Sequence, residues 1–256
     1  MHPIVFFLVT LAIFSIAALL GQLFRVRRSS QFESEELSVK TLLGASLGLF
    51  GVLLGFTFSM ANSRFEERRQ LEITEATNLQ TLWYRTSFLP EPARSAERAL
   101  LRQYLPERIQ FFDAAPNDPS YKEDLRQSAL LQNRMWKVVD DASSEPRSPA
   151  TIQFNAALSD SIQAAEKRTA ASENRLPVLS WAILLLLGSM ACVLLGVDLR
   201  SHSYLLRGML QVALAAALVL TYDIDTPRVG FVQVRQRSMV RVQHLLDGTA
   251  PVDQDH

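Results

Sequence analysis

Pro3 to Phe24 runs for 22 residues without a single charge. That is long enough for a helix to cross a bilayer core of roughly 30 Å. Three further runs are strongly apolar and of similar length: about Val39 to Met60, Val178 to Val197 and about Tyr204 to Tyr222. A chain that must place four such segments in lipid is committed to helices there, because a helix satisfies its own backbone groups. Arg25, Arg27 and Arg28 follow the first run rather than precede it, and its apolar core exceeds that of a signal peptide. It therefore reads as an uncleaved first span.

From about Asn62 to Arg175 the composition reverses and charge dominates. The spacing predicts helices here too. The second span passes without Gly or Pro into Arg64-Phe-Glu-Glu-Arg-Arg69 and on to about Leu89, where Pro90 and Pro92 end it. Ser38 is a candidate cap for its start. Glu91 to Ala115 reads as a helix that Pro106 kinks or splits, and Pro116-Asn-Asp-Pro119 as a turn. Ser120 to Ser144 and Ala150 to Arg175 read as two more helices, with Glu145 to Pro149 as the break between them. No stretch alternates like a strand. The expected fold is all-α, polytopic, with four transmembrane helices and a helical soluble bundle inserted between spans 2 and 3.

The expected organisation is transmembrane helices 1 and 2 in residues 1–61 and a soluble helical domain in 62–176, continuous with span 2. Transmembrane helices 3 and 4 occupy 177–222. A C-terminal segment, 223–256, holds a short helix at Ser238 to Leu246 and a disordered tail, GTAPVDQDH. Trp181 is placed for an interface. Arg207, near the start of span 4, is expected to snorkel to the head groups. Gln211 is the strongly polar residue deeper in that span.

The chain carries no net charge, which gives no nucleic-acid signal. Cys192 is its one cysteine, so no intrachain disulfide is possible. The four histidines lack ligand spacing, and no nucleophile–base arrangement or phosphate loop appears. Neither an enzyme, a cofactor nor a bound metal is expected.

Within span 2, Gly44, Gly48, Gly51 and Gly55 are spaced four, three and four, and Ser59, Asn62, Glu66 and Arg69 continue the rhythm. At about 100° per residue, all eight lie on one stripe. Small residues in that pattern let helices pack closely, within one subunit or between copies. The neighbouring residues Val52, Phe56 and Ser59 could instead point into a lumen, where apolar rings gate by dewetting. Arg64, Glu66, Glu67, Arg68, Arg69, Glu72 and Glu75 read as a solvated helix face with pairs such as Glu72–Arg68. The sharper alternative makes Arg64, Arg68 and Arg69 a charged pore mouth that attracts anions. Asp223 and Asp225 mark a helix end and turn, fixed by Pro227. A cation site there, or a salt bridge to an arginine of the second helix, is the other reading, but two carboxylates alone are a weak calcium signal.

Leu54-Gly-Phe56, Ser59-Met-Ala-Asn-Ser-Arg-Phe-Glu-Glu-Arg-Arg69 and Asn78 resemble the second transmembrane helix of bestrophins. There an apolar Leu-Gly run precedes a small polar stretch and Arg-Trp-Trp-Glu-x-Arg. The bacterial bestrophin-like membrane domain is a closer match. Gly55-Phe-Thr-Phe-Ser-Met-Ala61, Glu75-Ala-Thr-Asn78, Phe88-Leu-Pro-Glu-Pro92 and Asp223-Ile-Asp-Thr-Pro-Arg-Val-Gly230 all resemble its pattern. The resemblance implies a pentamer of small-anion channels in a bacterial inner membrane, with both termini and the central helical domain cytoplasmic. Its neck positions would fall at about Gly48, Val52 and Phe56, the first without bulk, and Phe65-Glu66 stands where the Trp pair would be. Charge alone points both ways on orientation. Arg25, Arg27 and Arg28 favour one side, while the larger set around the central region, from Arg64 to Arg241, favours a cytoplasmic bundle.

Overall fold

The computed structural model describes residues 2–27, 36–113, 120–142, 149–198, 204–226, 228 and 230–249. These residues form helices and short connections, with no strand among them. In chain order the helices are α1 (Pro3–Arg27), α2 (Glu36–Arg85), α3 (Ala93–Asp113), α4 (Ser120–Ala142), α5 (Pro149–Glu173), α6 (Val178–Asp198), α7 (Tyr204–Asp225) and α8 (Arg237–Asp247). Among the described residues four helices are long and apolar enough to cross a membrane: α1, α2, the one ending at Asp198, and α7. The turns expected at 116–119 and 145–148, the loop 199–203 and the tail beyond Thr249 lie outside the described residues.

The chain divides into two compact units. One, the membrane unit, is Met1–Phe65 with Arg175–Gln233; the other, the charged unit, is Glu66–Asn174 with Val234–His256. The C-terminal helix α8, expected as part of a separate segment, belongs to the charged unit, where Met239, Val242 and Leu246 join its core.

In the membrane unit the tightest packing is made by glycines. A Cβ on Gly21 of α1 would drive into the Val193 carbonyl of α6, and one on Gly196 of α6 would drive into the Ala18 carbonyl of α1. A Cβ on Gly188 would lie 2.5 Å from the Phe14 ring. Lipid chains are as apolar as side chains, so this close backbone approach, rather than a hydrophobic drive, holds such helices together. Phe14, Phe50, Leu184, Cys192, Ala215 and Leu218 fill the space around it. Trp181 meets Phe6 and Tyr222, with ring centroids 5.8 and 5.7 Å apart, and Phe6 stacks on Tyr222 at 4.3 Å. Ser15 Oγ of α1 donates to Gln211 Oε1 of α7 at 3.3 Å, which gives the polar group in span 4 a partner. Arg207 departs from expectation. It does not reach outward but is 8% exposed, its guanidinium set against the Gln22 side chain of α1, which offers a polar neighbour inside the protein.

α2 has 50 residues and so extends about 75 Å. It contains no proline, and its glycines are tolerated where lipid leaves the backbone no competing partner. It starts at Glu36, so Ser38 lies inside it rather than capping it. A 3₁₀ turn, Thr86–Phe88, closes it. Leu89 then turns extended (φ −81°, ψ 144°), as the residue before Pro90 must. α3 runs unbroken through Pro106.

The charged unit is built on the continuation of α2. Ala76, Leu79 and Leu82 pack with Leu101, Tyr104 and Leu105 of α3, Met135 and Val139 of α4, and Phe154 and Leu158 of α5. The stripe from Arg68 to Glu75 was expected to be solvated, and here the structure corrects the sequence reading. Arg68 is 4% exposed, and its guanidinium donates to the Ala171 and Asn174 carbonyls at 3.1 and 2.7 Å. Those carbonyls belong to the end of α5 and to the residue just beyond it, where a cation is favoured. Glu72 Oε1 accepts the Ser238 and Met239 backbone N–H groups at 2.8 and 3.0 Å, so an acid sits on the free N–H groups that open α8. Glu75 is fully buried and accepts from Arg108 Nε at 2.7 Å and Arg168 Nη1 at 2.8 Å. Burial pushes its carboxyl up, but the two guanidiniums outweigh this and hold it below the usual carboxylate range. Arg168 also donates to Gln236 Oε1 at 2.8 Å and lies 3.7 Å from the Phe112 ring centroid.

Candidate functional site

Span 2 presents two unlike faces within its own unit. Ser46, Phe50, Thr57 and Ala61 are buried, and Thr57 Oγ1 donates to the Leu53 carbonyl at 2.8 Å. Gly44, Gly48, Gly51 and Gly55 lie on the other side and are exposed. A Cβ built on any of these four would meet no heavy atom within 4 Å. The close packing expected of this stripe inside one subunit is therefore not made; Gly21, Gly188 and Gly196 do that work instead. The stripe stays open because the buried residues of α2 sit on the opposite side of the helix.

Beside the open glycines, Val52 is 57% exposed and Phe56 65% exposed, and Ser59 and Asn62 are also exposed. A phenyl ring standing free next to a smooth glycine surface has apolar area to cover, and a small-residue groove beside it is a surface on which another helix can lie. Of the charged candidates, Arg64 is half-buried, with its Nη1 enclosed and without a hydrogen-bond partner among the described residues. Arg69 is exposed and pairs with Glu66 one turn earlier at 3.4 Å, a contact of small energetic weight in water. Arg68 is turned into its own unit, as described above, and cannot present charge at a mouth.

The Asp223–Asp225 stretch resolves into anchoring chemistry. Asp223 accepts the Phe231 and Val232 N–H groups, both at 2.9 Å. Gly230 has φ 152°, and a Cβ there would drive into Asp223 Oδ1, which explains why a glycine closes this motif. Asp225 accepts the Leu176 N–H at 3.2 Å to either oxygen, tying the end of α7 to the segment before α6. Both carboxylates are used by backbone N–H groups, in keeping with a helix end and turn. Among the described residues no group of three His, Cys, Asp or Glu side chains could hold a metal ion. Pro227 lies outside the described residues.

Sequence reasoning did not single out Arg108, Arg168, Gln236 or Glu97. A signal existed for the first and last: Ala93, Glu97, Leu101, Tyr104, Leu105 and Arg108 recur at helical spacing, which places two charges on the apolar stripe of α3.

An all-helical chain with four membrane-crossing helices and a second helix running on into a charged unit defines a class of membrane protein. The family model for the bestrophin-like domain matches residues 8–239. The chain belongs to the bestrophin-like family. Its fold is similar to crystal structures of a bacterial bestrophin homolog from Klebsiella pneumoniae. Two point variants of that homolog match at TM-scores of 0.66 and 0.64, each 16% identical, covering 96% and 95% of this chain and 99% and 98% of theirs. A structure phased on zinc matches at 0.65 with 17% identity, covering 97% of this chain and 99% of that one. No curated protein matches the sequence.

Proposed function

We propose that the chain is one subunit of an oligomeric ion channel whose path is lined by α2. The observation that carries this reading is the open face of span 2. Four glycines and the exposed side chains of Val52, Phe56 and Ser59 find no partner surface among the described residues. In the proposed assembly, the glycines let α2 helices from neighbouring copies approach closely. Val52 and Phe56 form apolar rings that gate by dewetting, and Ser59 sits beyond them. Arg64 and Arg69 then stand near the exit, where they would favour small anions. Family membership supports this reading, and the bestrophin resemblance implies a pentamer. We place the protein in a bacterial inner membrane, with the charged unit and both termini in the cytoplasm, which agrees with the larger arginine set.

A second reading has its own observation. In the charged unit, a groove of about 460 Å³ is lined by Ile73, Thr77 and Gln80 of α2 and by Arg241, Val242 and Leu245 of α8. Such a groove suits a non-conducting scaffold or sensor that binds a cytoplasmic partner.

Purified protein reconstituted into liposomes and tested for chloride flux, with particle mass measured on the same sample, separates the two. The channel reading expects an oligomer that passes chloride. A monomer without flux would sink it.

A further inference from the structure

The charged unit buries four acids of very different standing: Glu72, Glu75, Glu97 and Asp124. Glu75 is paired with two arginines, and Glu72 caps α8. Glu97 of α3 is 0% exposed, yet neither of its carboxyl oxygens has a hydrogen-bond partner among the described residues. It occupies a core position between Ala93 and Leu101 on the buried stripe of α3.

Among the described residues no charged group answers this. On α3 itself, Arg94 is turned to the Leu89 carbonyl at 3.0 Å and Arg98 to Thr86 Oγ1 at 2.9 Å. Arg102 donates to the Leu246 carbonyl at 2.9 Å, and Tyr104 accepts from Gln132. The 3₁₀ turn Thr86–Phe88 has no titratable side chain. On α4, Arg134, Lys137, Asp140 and Asp141 are exposed, and Asp124 is the buried titratable group. On α8, Arg237, Arg241 and Asp247 are exposed, and His244 Nδ1 is engaged with Thr249 Oγ1 at 3.0 Å. On α2 and α5, Glu72, Glu75 and Arg168 are spent on one another and on α8 and Gln236.

An ionised carboxylate held in such a place has lost its water and gained no partner, which is among the costliest arrangements in a protein core. The neutral acid escapes the charge penalty and is left with the much smaller cost of an unpaired O–H and C=O. We propose that Glu97 is a proton-binding latch: the neutral acid keeps α3 seated in the core of the charged unit, and ionisation releases it. Burial alone pushes the Glu97 carboxyl up to about 8 from an ordinary 4.5. The folded chain therefore holds a proton that the unfolded chain has given up over that interval. Its contribution to stability is complete below about 4.5 and is lost progressively as pH rises to about 8. The latch acts on the charged unit whatever the chain conducts.

The test uses the full chain in detergent. Thermal unfolding and the infrared C=O stretch of protonated carboxyls are followed from about pH 6 to about pH 9. The latch predicts a melting temperature that falls across this range in the unmodified chain and a shallower slope in Glu97→Gln, which mimics the neutral acid. It also predicts a protonated-carboxyl band at the acid end that fades as pH rises and is missing from Glu97→Gln. If that variant does not fold, Glu97→Asp keeps the carboxyl and should shift the band. Equal slopes in the two proteins, or a band that none of these substitutions alters, would overturn the proposal.

Discussion

Gly21 and Gly196 face backbone carbonyls, so any side chain there has to push one helix off another. Gly196→Ala should cost about 1–3 kcal/mol, read as a lower melting temperature in detergent, since overpacking against rigid backbone does not relax. Gly48→Ala is the matched control. Its added methyl meets no atom of its own chain. The chain's fold should survive that change, while an assembly built on the open face should weaken. Removing the charge of Glu75 leaves Arg108 and Arg168 buried against a neutral amide, which should destabilise by about 3–5 kcal/mol. Its lowered native pKa adds a pH signature. The stabilisation it supplies is present above about 4.5 and is lost as pH falls below that value. Glu75→Gln should therefore melt with less acid dependence than the unmodified chain, and equal acid dependence would show that the two ion pairs do not matter to folding. Single residues were only half legible in the sequence. The spacing of glycines can be read, but whether a glycine meets a neighbour depends on the partner helix, and the partners of Gly21 lie more than 170 residues away. The same holds for Arg68, Glu72 and Glu75. Their charges suggested water, while their register with Leu79 and Leu82 pointed to the core.

At the scale of elements, the sequence was more informative. Strongly apolar runs mark the spans, and Pro90 and Pro92 end α2 because a residue before proline is driven extended. Pro106 was the exception: α3 carries it without a break, so packing of the flanking turns against the core outweighs the missing hydrogen bond. The two faces of α2 were visible only as one stripe, because the burial of Phe50, Thr57 and Ala61 is set by the other spans. If the open face lines a path, Phe56 is its bulkiest apolar residue there. Phe56→Ala should then raise ion flux severalfold in liposomes, because a wider apolar ring dewets less readily. Unchanged flux would remove Phe56 from the constriction and leave the glycines as a packing surface alone.

Taken whole, the molecule has a membrane unit closed by glycine contacts, a charged unit closed by buried ion pairs, and one long helix shared by both. The four glycines of span 2 leave an open face, and that face is the reason for expecting other copies of the chain there. The most direct measurement is cysteine cross-linking in membranes. Cys192 is buried and is the chain's one native thiol, so a Cys192→Ser background leaves an introduced cysteine alone. Ser59→Cys on the open face of α2 is compared with Leu8→Cys on the exposed side of α1. Ser59→Cys is expected to give a covalent product between copies under mild oxidation, and Leu8→Cys far less. If Ser59→Cys stays monomeric while Leu8→Cys cross-links, the open face of α2 does not meet another copy, and the channel proposed here has no lining.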